Sequence, residues 1–479
     1  MVTYQCGKQS TAITSPLASQ PSLPRFGLPL EENNHYDKID DKHARSSSPA
    51  WIRRTIPDIL DQERTKKETS LSMEKYLIIQ LARFGDILQS KRLISGLSTQ
   101  PPAEVHLAVD ASLVSLAKLI YPDTHVHGLP VHGTHPDPVH LLRHCGTIFK
   151  QWQETDFSRV FNLNHSGFNH VLAGLFDPEQ VAGYQWRKGQ ILRGAWPDMV
   201  FRLTRHRLTN PLNLMDYWGH FLNPALAPEL VNPPARPKGG GVGVAMAGRH
   251  ARRCLPVPVL VQILTAALHG HPGPIHLLGT ETERPAARQL LKALPPVLQT
   301  RVCDLTGRTG WRGLIEVVSQ LDLLLSPDTG TMHLAAHLGT PVTAFFLSSA
   351  WCFETGPYGD GHLVWQAARP CAPCLESQPC DQDTACLRPF THKAVLSFLA
   401  SQTSFPDPPA ELCLLESSVD EFGLRFTPQL GELPESQERD ALRELLSGHC
   451  LGKEPRNAAA QRAPAAWMYD EPHWMLEQS

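Results

Sequence analysis

Hydrophobic and polar positions alternate between two rhythms along most of this chain. Residues 75–81, Lys75-Tyr-Leu-Ile-Ile-Gln-Leu81, form a continuous apolar run of the kind a strand buried on both faces requires. Arg83-Phe-Gly-Asp86 follows, then residues 87–97, where Ile87, Ile94 and Leu97 share one helical face. The strand–turn–helix unit recurs, with strands over 105–109 and 159–163 and helices over 111–120 and 167–176. Such alternation predicts a parallel α/β sheet. A second series predicts strands over 242–245, 275–278, 323–326 and 342–346, with helices over 257–268, 286–294, 314–321 and 332–338.

The segment Asn232-Pro-Pro-Ala-Arg-Pro-Lys-Gly-Gly-Gly241 separates the two series. Proline stiffens its first half and glycine frees its second. The expected organisation is therefore a weakly ordered tail over 1–72, an α/β domain over 73–231, a Pro/Gly hinge over 232–241 and a second α/β domain over 242–404. An extension over 405–479 completes it, acidic and Pro-rich apart from a helix over 436–446. A short helix over 52–67 is the one element expected in the N-terminal tail.

Length and composition narrow the class. At 479 residues the chain suits about three units at roughly 150 residues each. Hydrophobic residues at 42% and charged residues at 19% supply sizeable cores. The net charge of −3 gives no electrostatic footprint for nucleic acid. The first thirty residues have no apolar h-region, and no run of eighteen apolar residues occurs, so neither a secretory signal nor a membrane span is expected. Eleven cysteines in a chain this long do not make a secreted disulfide scaffold, so the expected compartment is the cytoplasm.

Five segments carry candidate chemistry. Gly85-Asp86 ends the opening strand, where α/β sheets collect ligands; by itself this Asp reads as a helix N-cap, and otherwise as a carboxylate at a cleft mouth. In Ser326-Pro-Asp-Thr-Gly-Thr-Met-His333 a strand runs into a helix whose first N–H groups suit a diphosphate, with Thr329 and Thr331 as added hydroxyl donors. Asp328 is too negative to face phosphate and is expected to cap the helix or pin the loop. Ala247-Gly-Arg-His-Ala-Arg-Arg253 offers three arginines to an anion, or a solvated loop. Glu283, in Gly279-Thr-Glu-Thr-Glu283, can hold ribose hydroxyls or favour a helix N-terminus. Cys371, Cys374, Cys380 and Cys386 could form a structural zinc site, although the second pair lacks a tight knuckle, and reduced thiols or a conditional disulfide are alternatives.

Together these residues resemble glycosyltransferase family 9, the bacterial heptosyltransferases of lipopolysaccharide core assembly, from about Lys75 to about Leu399. Asp328-Thr-Gly-Thr-Met-His-Leu-Ala-Ala-His-Leu-Gly-Thr-Pro341 is similar to that family's signature almost letter for letter. Thr355-Gly-Pro-Tyr-Gly359, Tyr76–Asp86, Asn162-Leu-Asn-His-Ser166 and the cysteine run resemble further family segments. The resemblance implies a GT-B fold of two Rossmann-like domains facing across a cleft, acceptor on the first and nucleotide sugar on the second. It implies inversion at the anomeric carbon with no metal and no cofactor. Asp86 becomes the general base. Arg253, Asp328, Thr329, Gly330 and His333 fall around the donor diphosphate, joined by the Thr331 hydroxyl, and Glu283 falls at the ribose. Gln80 departs from an arginine usual in the family, and Leu255 from a tryptophan.

The function so implied is transfer of heptose from ADP-heptose to a lipopolysaccharide core or related lipid-linked glycan. The expected setting is the cytoplasm, peripherally at the inner membrane. The alternatives are a GT-B enzyme using another nucleotide sugar, an epimerase, or a silent nucleotide- or glycan-binding protein.

Overall fold

The apolar run at 75–81 becomes β1 (Glu74–Ile79), the centre of the first of two sheets. Its alternate residues enter different cores. Ile78 lies with Ile94 and Phe161 on one face, and Leu77 and Ile79 lie with Trp152 and Val160 on the other. All three are fully buried, which is why no polar alternation is visible there. The computed structural model describes residues 73–99, 103–132, 138–246, 251–375, 378–401 and 409–453. The tail over 1–72 with its expected helix, Arg249 and residues 454–479 lie outside the described residues.

In the first lobe β2 (Ala103–Asp110) and β3 (His125–Leu129) extend the sheet on one side of β1, and β4 (Arg159–Asn162) and β5 (Val181–Arg187) on the other. These strands are parallel in the order β3-β2-β1-β4-β5, and β6 (Gln190–Arg193) closes the edge antiparallel to β5. The second lobe repeats the plan. Its strands β7 (Val242–Ala245), β8 (Ile275–Leu278), β9 (Val302–Asp304), β10 (Leu323–Pro327), β11 (Val342–Phe346) and β12 (Leu363–Ala367) pair in parallel in the order β9-β8-β7-β10-β11-β12. Each sheet therefore reverses its winding beside its own first strand, and ligands of open α/β sheets gather outside the strand ends at such a point. The fold is α/β, with two Rossmann-like sheets.

The second sheet continues past residue 404. The hairpin β13 (Leu412–Val419) and β14 (Leu424–Leu430) joins antiparallel to β12. The helix Ser436–Leu451 then returns to the first lobe, where Leu442 and Leu446 share a core with Ile94 and Trp218.

The expected hinge is strapped down along its length. Arg236 N–H donates to the Gly339 carbonyl (3.0 Å), Gly240 N–H to Gln320 (2.9 Å) and Gly241 N–H to Asp322 Oδ2 (3.0 Å). Asn232 Nδ2 donates to the Tyr358 carbonyl (2.9 Å), and Lys91 Nζ from the first lobe donates to Asn232 Oδ1 (3.0 Å). No helix among the described residues is long and apolar enough to cross a membrane.

Candidate active site

At the winding reversal of the first sheet, side-chain amides fix the end of β1. Leu81 N–H donates to Asn164 Oδ1 (2.7 Å), Asn164 Nδ2 donates to Gln80 Oε1 (2.5 Å), and Asn169 Nδ2 donates to Asn164 Oδ1 (3.1 Å). Gln80 is 1% exposed and also donates through Nε2 to Ser90 Oγ (3.1 Å). The departure from arginine at position 80 thus serves a buried amide network, and the Asn162–Ser166 motif holds the neighbouring turn. That turn leads into the helix Phe84–Gln89, with Asp86 in its first turn. Asp86 Oδ2 accepts the Arg83 N–H (2.9 Å), so the carboxylate satisfies a helix N-terminal donor as the local sequence suggests. It is half-buried.

At the equivalent point of the second sheet, Arg253 Nη1 lies 2.7 Å from Asp328 Oδ2. The Asp328 side chain is only 4% exposed, so solvent screens this pair weakly. Thr355 Oγ1 donates to the same oxygen at 3.3 Å. Asp328 does not cap the next helix: Thr329 is the N-cap, accepting the Met332 N–H at 3.3 Å, and Asp328 pins the arginine loop. Gly330 begins the helix Gly330–His337, and Thr331 lies half-buried in its first turn. Burial, with Arg253 adding repulsion, pushes the His333 imidazole down to about 3. His333 is therefore neutral at pH 7, with one N–H to donate. Its Nε2 stands 3.9 Å from Asp328 Oδ1, beyond hydrogen-bond reach.

The two helix N-termini meet. A Cβ on Gly85 would lie 3.0 Å from His333 Cδ2, and one on Gly330 would lie 2.2 Å from Phe84 Cδ1. Phe84 also packs on Trp311, ring centroids 4.9 Å apart. Asp86's turn and the Asp328–His333 loop thus share one interlobe junction, with Arg253 on its second-lobe wall. Sequence reading missed Arg207, which crosses from the first lobe to Glu354. Its Nε lies 3.0 Å from Glu354 Oε1 and its Nη2 2.7 Å from Glu354 Oε2, while Nη1 donates to the Cys374 carbonyl (3.0 Å). No local signal marks this pair, which is 147 positions apart.

Glu283 is engaged locally. Its Oε2 accepts the Thr280 N–H (2.8 Å) and hydroxyl (2.7 Å), and Oε1 accepts the Thr282 hydroxyl (2.9 Å), a capping box ahead of the helix Arg284–Ala293. The four cysteines line a separate cavity of about 360 Å³ together with Arg252 and Arg369. Arg252 Nη2 lies 2.7 Å from Cys374 Sγ. All four are free thiols, and among the described residues no three of their sulfurs converge to metal-ligand spacing.

Comparison with known proteins shows what part of the chain is similar to. Residues 263–384 match the model of glycosyltransferase family 9 (heptosyltransferase), a stretch containing the Asp328–His333 loop and most of the cysteine run. No curated protein matches the chain in sequence. Among solved structures, the glycosyl transferase family 9 protein of Veillonella parvula is 14% identical, covering 68% of this chain and 94% of that one with a TM-score of 0.47. E. coli heptosyltransferase WaaC with ADP is 15% identical, covering 61% and 93% with a TM-score of 0.45. E. coli ADP-heptose lps heptosyltransferase II is 14% identical, covering 59% and 87% with a TM-score of 0.39.

Proposed function

Taking the chain as a glycosyltransferase of the family 9, heptosyltransferase-like kind, we propose that it transfers heptose from ADP-heptose, with inversion, to a lipopolysaccharide core or related lipid-linked glycan. In this reading it works in the cytoplasm against the inner membrane. The observation that carries the proposal is the junction where the Gly85-Asp86 turn abuts the Gly330–His337 helix, with Arg253 at its wall. Asp86 takes the proton of the attacking acceptor hydroxyl, the bond to the anomeric carbon forms from the opposite face, and ADP leaves. Positive charge and aligned N–H groups stabilise that leaving diphosphate: Arg253, released from Asp328, the first turn beginning at Gly330, and the Thr329 and Thr331 hydroxyls. Neutral His333 donates one hydrogen bond without adding charge. Glu283 reaches the ribose once its capping contacts loosen.

A panel of nucleotides and nucleotide sugars tested by thermal shift addresses the donor directly. ADP and ADP-heptose should raise the melting temperature, and UDP and GDP should not, because only a ligand that prefers the folded state stabilises it. Preferential stabilisation by a uridine or guanosine nucleotide would replace the donor assignment. Transfer should also survive EDTA, since the leaving group is met by a guanidinium and a helix end. A Mg²⁺ or Mn²⁺ requirement would overturn the proposed mechanism.

A further inference from the structure

The far end of the first sheet holds a second cluster of chemistry. Strand geometry sends residues two apart to the same face. Glu104 and His106 therefore share one face of β2, and His125 and His127 share one face of β3. The two strands pair with His106 opposite His125 and Ala108 opposite His127. Glu104 Oε1 lies 2.8 Å from His106 Nε2 and 3.3 Å from His125 Nε2. These three ligand atoms all fall within 4.8 Å of one another, and this is the only such group of three among the described residues.

We propose that Glu104, His106 and His125 bind a divalent ion of the zinc class, with water in the remaining position. Two imidazole nitrogens and one carboxylate oxygen form an established zinc donor set. Tetrahedral coordination at metal–ligand distances of about 2.0–2.1 Å sets donor atoms about 3.4 Å apart. The His125–Glu104 separation already matches, and the His106–Glu104 separation must open by roughly half an ångström.

The surroundings hold the ligands as a metal site requires. His106 is 4% exposed, and its Nδ1 lies 2.9 Å from Nε2 of the buried His127. A ligating imidazole normally gives its other N–H to such a partner. His127 can accept that proton's hydrogen bond while carrying its own proton on Nδ1, which leaves His106 Nε2 free for the ion with no net proton lost. The His106 ring packs edge-on against Phe157, and the His127 ring against Trp152. On the outer side, the His125 side chain is 60% exposed, giving the ion an entry path. Lys75 Nζ stands 3.7 Å from Glu104 Oε2 and is exposed enough to swing away. The site sits at the start of β2 and β3, whereas Asp86 follows the far end of β1, so this ion takes no part in sugar transfer.

The test uses the full chain, stripped with chelator and dialysed against Zn²⁺ or Co²⁺. The wild type should retain one equivalent of metal that both Glu104→Gln and His125→Ala lose or bind at least about tenfold more weakly. His125 is exposed and Glu104 sits near the surface, so both variants should fold. The Co²⁺ difference spectrum between wild type and His125→Ala should show ligand-field bands without thiolate charge transfer, which separates this site from the cysteine cavity. Equal metal content and affinity in wild type and both variants would overturn the assignment. So would loss of that equivalent in a Cys371→Ser/Cys374→Ser variant instead.

Discussion

The strongest test of the fold concerns Asp216, a buried aspartate far from any motif in the sequence. It is 1% exposed and lies in the helix Leu214–Gly219 of the first lobe. Its Oδ1 accepts from Arg92 Nη1 and from the Tyr358 hydroxyl, each at 2.6 Å, and its Oδ2 accepts the Leu424 N–H at 2.8 Å. Arg92 belongs to the first lobe, whereas Tyr358 and Leu424 belong to the second, so one carboxylate ties the lobes together. Arg92 is equally buried and also donates to the carbonyls of Phe422 (2.9 Å) and Leu226 (2.8 Å). Asp216→Ala would strand a guanidinium, a phenol and an amide N–H in a dry interface. Breaking a buried pair by removing one partner costs about 3–5 kcal/mol. That is a large share of a typical stability of about 5–15 kcal/mol. Asp216→Asn should cost less, about 1–3 kcal/mol, because its amide oxygen still accepts from Arg92 and Tyr358 while its NH₂ meets the Leu424 N–H donor to donor. Tyr358→Phe removes one bond to a charged acceptor, about 1.5–3 kcal/mol at most. Equilibrium urea unfolding followed by fluorescence and circular dichroism measures all three. Asp216→Ala should also split the transition, since the lobes lose their shared charge pair. A single transition within 1 kcal/mol of wild type would refute the reasoning.

Other outcomes follow from the candidate site and the buried histidines. Asp86→Asn should keep the helix cap through its amide oxygen yet lower turnover by about 10²–10⁴, the worth of a general base; retention of a tenth of wild-type turnover would reduce Asp86 to a cap. Arg253→Ala should weaken ADP binding or slow turnover, with Arg253→Lys restoring most of it, and unchanged kinetics in the alanine variant would move the phosphate role elsewhere. Burial pushes His333, His337 and His362 down to about 3, 3 and 4, helped by Arg253 and Lys91 at the first two. The unfolded chain takes up those protons near pH 6.5, so stability present above that pH should fall towards pH 4 by up to about 1.4 kcal/mol per unit for each histidine; a melting temperature unchanged from pH 7 to 5 would contradict this. Gly330→Ala should impair donor binding because its Cβ meets Phe84, and Phe84→Ala should partly rescue it; failure of rescue would place the defect elsewhere.

What the sequence made legible is what local pattern encodes. The runs at β1, β7, β10 and β11 are largely apolar because both faces are covered, so strand and site loop could be read together. Strands β3 (His-Val-His-Gly-Leu) and β13–β14 escaped notice because histidine, glycine and charged positions interrupt them. The acidic, Pro-rich look of 405–479 concealed a hairpin that extends the second sheet. Asp328 was expected to cap or pin, and the structure separates the two roles, giving the cap to Thr329. Contacts between distant residues carried no signal at all. Arg207–Glu354 and Asp216–Tyr358 span 147 and 142 positions and come together only through the folded lobes. The Glu104–His106 and His125–His127 pairs come together only through the register of β2 and β3.

The Thr355-Gly-Pro-Tyr-Gly359 segment shows how a site motif can act through architecture. Thr355 reaches Asp328, whereas Tyr358 reaches Asp216. Gly356 has no room for a side chain, since a Cβ there would lie 2.4 Å from Phe426 Cζ and 2.5 Å from the Cys352 carbonyl oxygen. Gly359 has φ of +130°, open to glycine and strained for other residues. One five-residue turn therefore steadies the Arg253–Asp328 pair at one end and the interlobe clamp at the other. The clamp buries ions and resists separation. The contact between Phe84 and Gly330 is apolar, a half-buried ring against a bare backbone, and holds no buried ion pair. Access to the candidate donor site should therefore come by parting Phe84 from Gly330 while Asp216 and Tyr358 stay joined. The pivot then lies at the Gly-Pro-Tyr-Gly turn, because the Pro/Gly linker is already hydrogen-bonded to the second lobe along its length.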